Sequence, residues 1–158
     1  MALYINTPHL CEAFQLVVKA RGFGILHFMN LKIKTKSAKQ VLDITKFVEK
    51  ELSRTKLVSG LCSIFVKHTA CAITTADLDP GTDLDFLEFL EEITPDLDWR
   101  HPHNPEHVPD HIFSSIIGPS LSVPFRGGKL ELGDWQRIVL VELNGPKERD
   151  VELSFIKA

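Results

Sequence analysis

The chemistry available to this chain is concentrated in its imidazoles. Four of seven histidines fall in one proline-broken stretch, RHPHNPEHVPDH (Arg100 to His111), and His68 closes an apolar, strand-like run in VKHTA. His107 and His111 are four apart, the spacing that puts two ligands on one face of a continuous helix. Pro109 works against that pairing: it favours a helix that begins near itself, leaving His107 in the preceding loop and His111 in the first turn. Three neutral imidazoles converging in a pocket would suit Zn²⁺, with a position open to water or substrate. Asp77 and Asp79, a few residues beyond His68, are carboxylates able to add oxygen ligands or accept protons. A histidine at a strand end or in a polar loop is also an ordinary structural or solvated residue. Spacing alone leaves both readings open.

Other chemistries have less support. No GxSxG is present, so Ser114 and Ser115, one turn beyond His111, read as helix residues rather than nucleophiles. There is no GxxxxGK or GxGxxG, and the glycines of RGG and NGPKER read as turns between strands rather than phosphate cradles. Three cysteines, Cys11, Cys62 and Cys71, form an odd set without CxxC spacing, which argues against a disulfide framework or a cysteine zinc knuckle. Cys62 and Cys71 lie in apolar runs and read as buried free thiols, which fits a cytoplasmic protein. A net charge of -3 gives no reason to expect nucleic acid as a partner. No apolar run reaches the ~18 residues of a membrane span, and the opening residues make a poor secretory signal.

The elements that must position these groups follow from patterning. With 44% hydrophobic and 25% charged residues, the 158-residue chain has the composition of one globular domain. AFQLVVKARG has the character of a short amphipathic helix. LKIKT alternates apolar and basic residues as a half-buried strand does. DITKFVEKELSR spaces Ile44, Phe47, Val48 and Leu52 for a helix with one core-facing side. LCSIFVKH and CAITTAD read as consecutive strands. DPGTDLDFLEFLEEI reads as a helix capped by Asp79, with Pro80 in its first turn and a wide apolar face of Leu84, Phe86, Leu87, Leu90 and Ile93. IFSSIIG reads as a short helix ending at Gly118, and SLSVPF, KLEL, RIVLVEL and VELSFI as strands. The order predicts an α+β fold, mostly antiparallel, with two packed sheets flanked by helices.

Together these segments resemble a known family. HTACAITTADLDPGTDLDFLEFL is similar to the His-Thr motif and acidic helix of YjbQ-like proteins. PDHIFSSIIGPSLSVPF and GKLELGDWQRIVLVELNGP are similar to that family's C-terminal signature. The resemblance implies a β-sandwich within an α+β fold, assembled as a homotrimer. It implies a shared pocket for His68, His101 and His111 as ligands of a divalent metal, for which zinc is suited, and leaves open whether that pocket spans two subunits. Gln136 would line it and orient substrate, with Asp77 or Asp79 as acid/base or auxiliary ligand; His103 and His107 remain loop residues. Residues 1–28 read as an N-terminal extension ahead of a single domain, 29–158. The implied activity is a secondary thiamine-phosphate synthase, joining a pyrimidine methyl diphosphate to a thiazole phosphate with release of pyrophosphate. The small-molecule partner is thus phosphorylated, and Lys67, Arg100 and Arg137 are candidates for charge near the leaving diphosphate. Two positions depart from the pattern: Asp77 stands where many relatives have Glu, and Asp134 where they have Thr. A metal-dependent hydrolase of a phosphate ester or amide, and a non-enzymatic trimeric metabolite-binding protein, are the alternative readings.

Overall fold

The structure, a computed structural model, describes residues 11–19 and 25–158. Among the described residues, nine strands and three helices follow one another: β1 (Cys11–Lys19), β2 (Ile25–Lys34), β3 (Gln40–Asp43), α1 (Thr45–Thr55), β4 (Ser59–Val66), β5 (Cys71–Ala76), α2 (Thr82–Glu92), α3 (Val108–Ile117), β6 (Ser120–Arg126), β7 (Lys129–Leu130), β8 (Arg137–Glu142) and β9 (Glu148–Lys157). A 3₁₀ turn, Pro105–His107, leads into α3. All pairing is antiparallel. One sheet has the order β1-β2-β9-β4-β6-β7 and the other β3-β8-β5. The α+β fold read from patterning is therefore the fold observed.

Strand parity explains the layers. In the larger sheet, Met29, Leu31 and Ile33 of β2, Cys62, Ile64 and Val66 of β4, and Val151, Leu153 and Phe155 of β9 alternate inward into one core. From the smaller sheet, Ile73, Ile138 and Leu140 meet them, and Val48 and Leu52 of α1 complete the layer. The opposite face of the smaller sheet, carrying Ala72, Val139 and Val141, packs against Leu90 of α2 and Phe113 of α3. Strand β8 is thus covered on both faces, which is why RIVLVE is a continuous apolar run rather than an alternating one.

Several local expectations are corrected. AFQLVVK is the strand β1, not a helix; it pairs with β2 from Cys11↔Ile33 to Lys19↔Ile25. Its β-branched and apolar residues suit an edge strand as well as a helix face, and the available partner edge decides. The rest of that predicted helix, residues 20–22, lies outside the described residues. Helix α2 begins at Thr82 behind Gly81, not at Asp79. Asp79 supplies only its carbonyl, accepting from Thr82 N at 2.9 Å, because Gly81 takes φ +98° and turns the chain there. Only Leu90 of α2 is buried, so Leu84, Phe89 and Ile93 leave an apolar face in solvent. KLEL contributes only Lys129 and Leu130 to a strand. Helix α3 starts at Val108, with Pro109 in its first turn and Gly118 after its end.

Gly60 marks the closest approach within the larger sheet. A Cβ there would stand 1.9 Å from the Ile156 carbonyl oxygen and 2.7 Å from Phe125 Cζ. Gly60→Ala must push β4 away from β9, so it is expected to lower stability by about 3 kcal/mol and the melting temperature by about 6–12 °C. Differential scanning calorimetry checks this, and an unchanged melting temperature would refute the close packing.

Candidate functional site

The site is built where β4 ends and the chain turns towards β5. Beyond Val66 the backbone still follows β9: Lys67 N donates to Asp150 O at 3.0 Å. One residue later the His68 side chain takes over, its Nε2 accepting the Asp150 backbone N–H at 3.1 Å. A ring nitrogen that accepts a backbone N–H is unprotonated, so the neutral ring carries its proton on Nδ1. Burial lowers the His68 pKa first and the Arg149 guanidinium lowers it further, against opposing pulls from Asp150 and Glu142. The carbonyl of Thr69, next along, accepts from His111 Nδ1 at 2.9 Å. That bond requires the proton on His111 Nδ1 and, in the neutral ring, leaves Nε2 with a free lone pair.

His101 completes the group from the loop before α3. Its ring stacks on His111, with centroids 5.6 Å apart and planes inclined by 23°. Its Nδ1 accepts long bonds, 3.4 Å each, from the backbone N–H groups of His103 and Asn104, which places the neutral ring's proton on Nε2. His68, His101 and His111 share one cleft of about 780 Å³, lined also by Phe65, Lys67, Thr69, Ser114 and Ser115. His107 does not join them. It sits in the 3₁₀ turn, bonded through Nε2 to Asn104 Nδ2 at 2.9 Å, and faces a different cleft with Glu106 and Asp110. The four-residue spacing to His111 does not pair the two, as Pro109 indicated.

The carboxylates and Gln136 lie elsewhere in the chain. His68 precedes the start of β5, whereas Asp77 and Asp79 follow its end, roughly 20 Å away for six residues of strand. Both are exposed, and Asp77 Oδ1 accepts from Asp79 N at 3.2 Å in a local turn. Gln136 precedes β8, and because Ala76 pairs with Arg137 it stands at the Asp77 end of the smaller sheet. Its Oε1 accepts from Gly133 N at 2.8 Å, beside a third cleft of about 380 Å³ that includes Asp134 and Arg137. One chain therefore brings the three histidines together and keeps Asp77, Asp79 and Gln136 at the opposite end.

The ring nitrogens of the cleft already have partners within the chain. His68 Nε2 is engaged by Asp150 N–H and His101 Nδ1 by two backbone N–H groups. Among the described residues no three of His, Cys, Asp or Glu are arranged to hold a metal ion. The imidazoles share the cleft without forming a preassembled three-ligand set. Nor is there an activated nucleophile in the cleft. Ser114 Oγ donates to Cys71 O at 2.8 Å and Ser115 Oγ to His111 O at 2.9 Å. Cys62 and Cys71 are buried free thiols, and burial pushes each pKa up to about 12. Of the cationic candidates, Lys67 is paired with Glu152 at 2.7 Å, Arg137 braces the Asp134–Gln136 backbone at the far end, and Arg100 is exposed next to His101.

Known proteins share the sequence and the fold. The family model described as UPF0047 protein YjbQ-like matches residues 29–158. The chain belongs to the YjbQ-like UPF0047 family. It is 32% identical to the UPF0047 protein MJ1081 of Methanocaldococcus jannaschii, over 79% of this chain and 91% of the relative. It is 36% identical to UPF0047 protein YugU of Bacillus subtilis, over 75% and 91%. Among solved structures, a YbjQ-like protein of unknown function from Sulfolobus solfataricus P2 superposes with a TM-score of 0.79 at 30% identity, over 84% of this chain and 98% of that one. Within this family member, sequence reasoning passed over Asp150, Glu142 and Arg149. Their one visible signal is charge inside strands: Glu142 ends an otherwise apolar run and Arg149 follows seven residues later.

A pH dependence follows from the lowered pKa values of His68 and His27, the latter caused by burial. Each folded-state pKa lies below the ordinary 6.5. As pH falls through about 6.5 the unfolded chain binds protons first, so stability declines until pH passes the folded pKa values and then levels. His68→Gln, whose amide oxygen can accept the Asp150 N–H, is expected to flatten that decline. Urea unfolding between about pH 7.5 and 5 measures it, and an unaltered slope would remove His68 from the account.

Proposed function

We propose that this protein is an enzyme acting on a phosphorylated small molecule in the histidine cleft, by displacement at carbon with diphosphate as leaving group. Coupling of a pyrimidine methyl diphosphate to a thiazole phosphate is the first candidate reaction. The thiazole nitrogen attacks the methylene carbon, the C–O bond breaks, and pyrophosphate leaves with the bonding pair. Such a reaction needs no protein nucleophile, because the substrate brings its own. It needs hydrogen-bond donors where negative charge develops. The observation that carries the reading is the Asp150 N–H to His68 Nε2 bond, which leaves Nδ1–H as a donor in the cleft wall. His101 Nε2–H and the Thr69 hydroxyl add donors, and His111 Nε2 is the acceptor for an exocyclic amino group. A divalent cation belongs in this reading with the diphosphate, as its counter-ion, rather than in a resident three-imidazole site. The two buried free thiols fit a reducing, cytoplasmic setting.

Assembly as a homotrimer is part of the proposal. Trp135 is 69% exposed, next to Gln136, at the end of the smaller sheet opposite the histidines. A large exposed aromatic of this kind is a common anchor at interfaces. A head-to-tail contact that closes a ring would seat the Trp135–Gln136 loop of one copy at the cleft of the next, bringing Asp77, Asp79 and Gln136 to the imidazoles.

Purified protein supplied with both precursors is expected to release pyrophosphate only when both are present, and His111→Ala and His68→Ala are each expected to lower the rate about 10²–10⁴-fold. Hydrolysis of phosphate esters or amides without coupling would favour a hydrolase instead. Binding without turnover would favour a metabolite-binding module. Sedimentation velocity tests the assembly: the parent protein is expected as a trimer and Trp135→Ala as a monomer, and a monomeric parent would refute the shared site.

A further inference from the structure

Glu142 of β8 and Arg149 of β9 form an ion pair with almost no solvent exposure, joining the smaller sheet to the larger. The carboxylate is fully engaged. Oε2 accepts from Arg149 Nε at 2.7 Å and Thr35 Oγ1 at 3.0 Å, and Oε1 accepts from Arg149 Nη2 and from Asn144 N at 2.8 Å. Removing two charges from water is unfavourable, and apolar residues of similar volume often serve stability as well. The pair therefore invites an explanation other than stability, and its outward bonds supply one.

Arg149 Nη2 reaches past Glu142 to the carbonyls of Asn144, at 3.2 Å, and Ala70, at 3.5 Å. Leu143 N also donates to Ala70 O, at 3.3 Å. The next residue, Asp150, holds the other flank: it accepts from Lys67 N and donates to the His68 ring. Residues 67–70 are thus held at Lys67 and His68 by the Asp150 backbone, and at Ala70 by Leu143 N together with Arg149. Thr69 lies between these anchors, and its carbonyl takes the His111 Nδ1 proton. The direction of that carbonyl depends on where Ala70 is tied. With one Nη2 proton on Glu142 Oε1, the other is shared between the Asn144 and Ala70 carbonyls, which an ammonium on a flexible stem does far less well.

We propose that Arg149, held by Glu142, is a positioning residue for His111: by helping to tie Ala70 it aims the Thr69 carbonyl that holds the proton on His111 Nδ1, while the Asp150 backbone holds His68 independently. Free imidazole favours the Nε2–H form; both of these rings are held as Nδ1–H. What they touch in the cleft rests on the function proposed above, but their hydrogen-bonding state does not.

The test uses ¹⁵N-labelled full-length protein and long-range ¹H–¹⁵N correlation of the histidine rings at one pH, near 7.5. In the parent, His68 and His111 are expected as Nδ1–H. In the double variant Glu142→Leu/Arg149→Met, which exchanges the pair for apolar residues, cooperative melting is expected to survive while the His111 ring moves towards Nε2–H and His68, held by Asp150 N–H, stays Nδ1–H. Arg149→Lys is expected to shift His111 in the same direction and supplies the readout if the double variant does not fold. Folded variants in which His111 keeps the Nδ1–H form would overturn the proposal and leave the pair a scaffold element. Titration with inorganic phosphate separates this inference from the functional one. Exchange of the His111 acceptor for an Nε2–H donor is expected to strengthen phosphate binding about tenfold. A shifted His111 ring with unchanged phosphate affinity would uphold the positioning role while removing the phosphate cleft.

Discussion

Strand β9 is hydrogen-bonded on both of its edges, to β2 along one and β4 along the other, and that double pairing constrains everything near the site. With both neighbours fixed, the parity of β9 cannot slip: Arg149, Val151, Leu153 and Phe155 face inward, and Asp150, Glu152 and Ser154 alternate with them. A shift of one residue would expose the core set and pull Arg149 out of its contact with Glu142. The same register fixes the height at which Asp150 meets the chain leaving β4, and so the height of the His68 ring. Core packing and the orientation of a candidate catalytic group are thus two readings of one strand register. The inward row of β9 supplies the burial, and the backbone groups of Asp150 fix the ring.

Amphipathic patterning was legible where one face meets water and the other a core. Helix α1 and the alternating β2 answer to that description, as do the apolar runs of β4, β5, β8 and β9. It misled where a second partner decides. AFQLVVK fits a helix stripe or an edge strand equally, and only the free edge of β2 selects the strand. Helix α2 has the residues of a wide buried face, yet Leu90 alone is buried, since the surface of the smaller sheet that it meets is small and shared with α3. Strand β3 is four residues long and is made a strand chiefly by pairing with β8.

The site was legible by halves. Pro109 separates His107 from His111 by local backbone logic alone, and the chain obeys it. That His68 meets His101 and His111 came from family resemblance; spacing cannot show it, because the meeting depends on β5 running alongside β8 and under α3. The same strand explains why Asp77 and Asp79, close to His68 in sequence, are distant from it in space: a strand converts sequence proximity into length. Glu142 and Arg149 were passed over because patterning treats charge in a strand as outward-facing. Here the two charges satisfy each other inside.

The hydrogen bonds made by the three imidazoles argue about the kind of ligand more firmly than their proximity does. A three-imidazole cation site requires three lone pairs aimed at one point, each ring protonated on the side facing away. Here His68 uses the lone pair of Nε2 for Asp150 N–H, and His101 uses that of Nδ1 for the loop backbone, so in their neutral forms each has an N–H left to offer. Only His111, protonated on Nδ1 by its bond to the Thr69 carbonyl, keeps a lone pair free. As bonded in this chain, two rings present donors and one an acceptor. In the function proposed above, the donors would face anionic oxygens and the acceptor an N–H or O–H. The backbone, through Asp150 and Thr69, imposes that polarity from within the chain, before any ligand arrives.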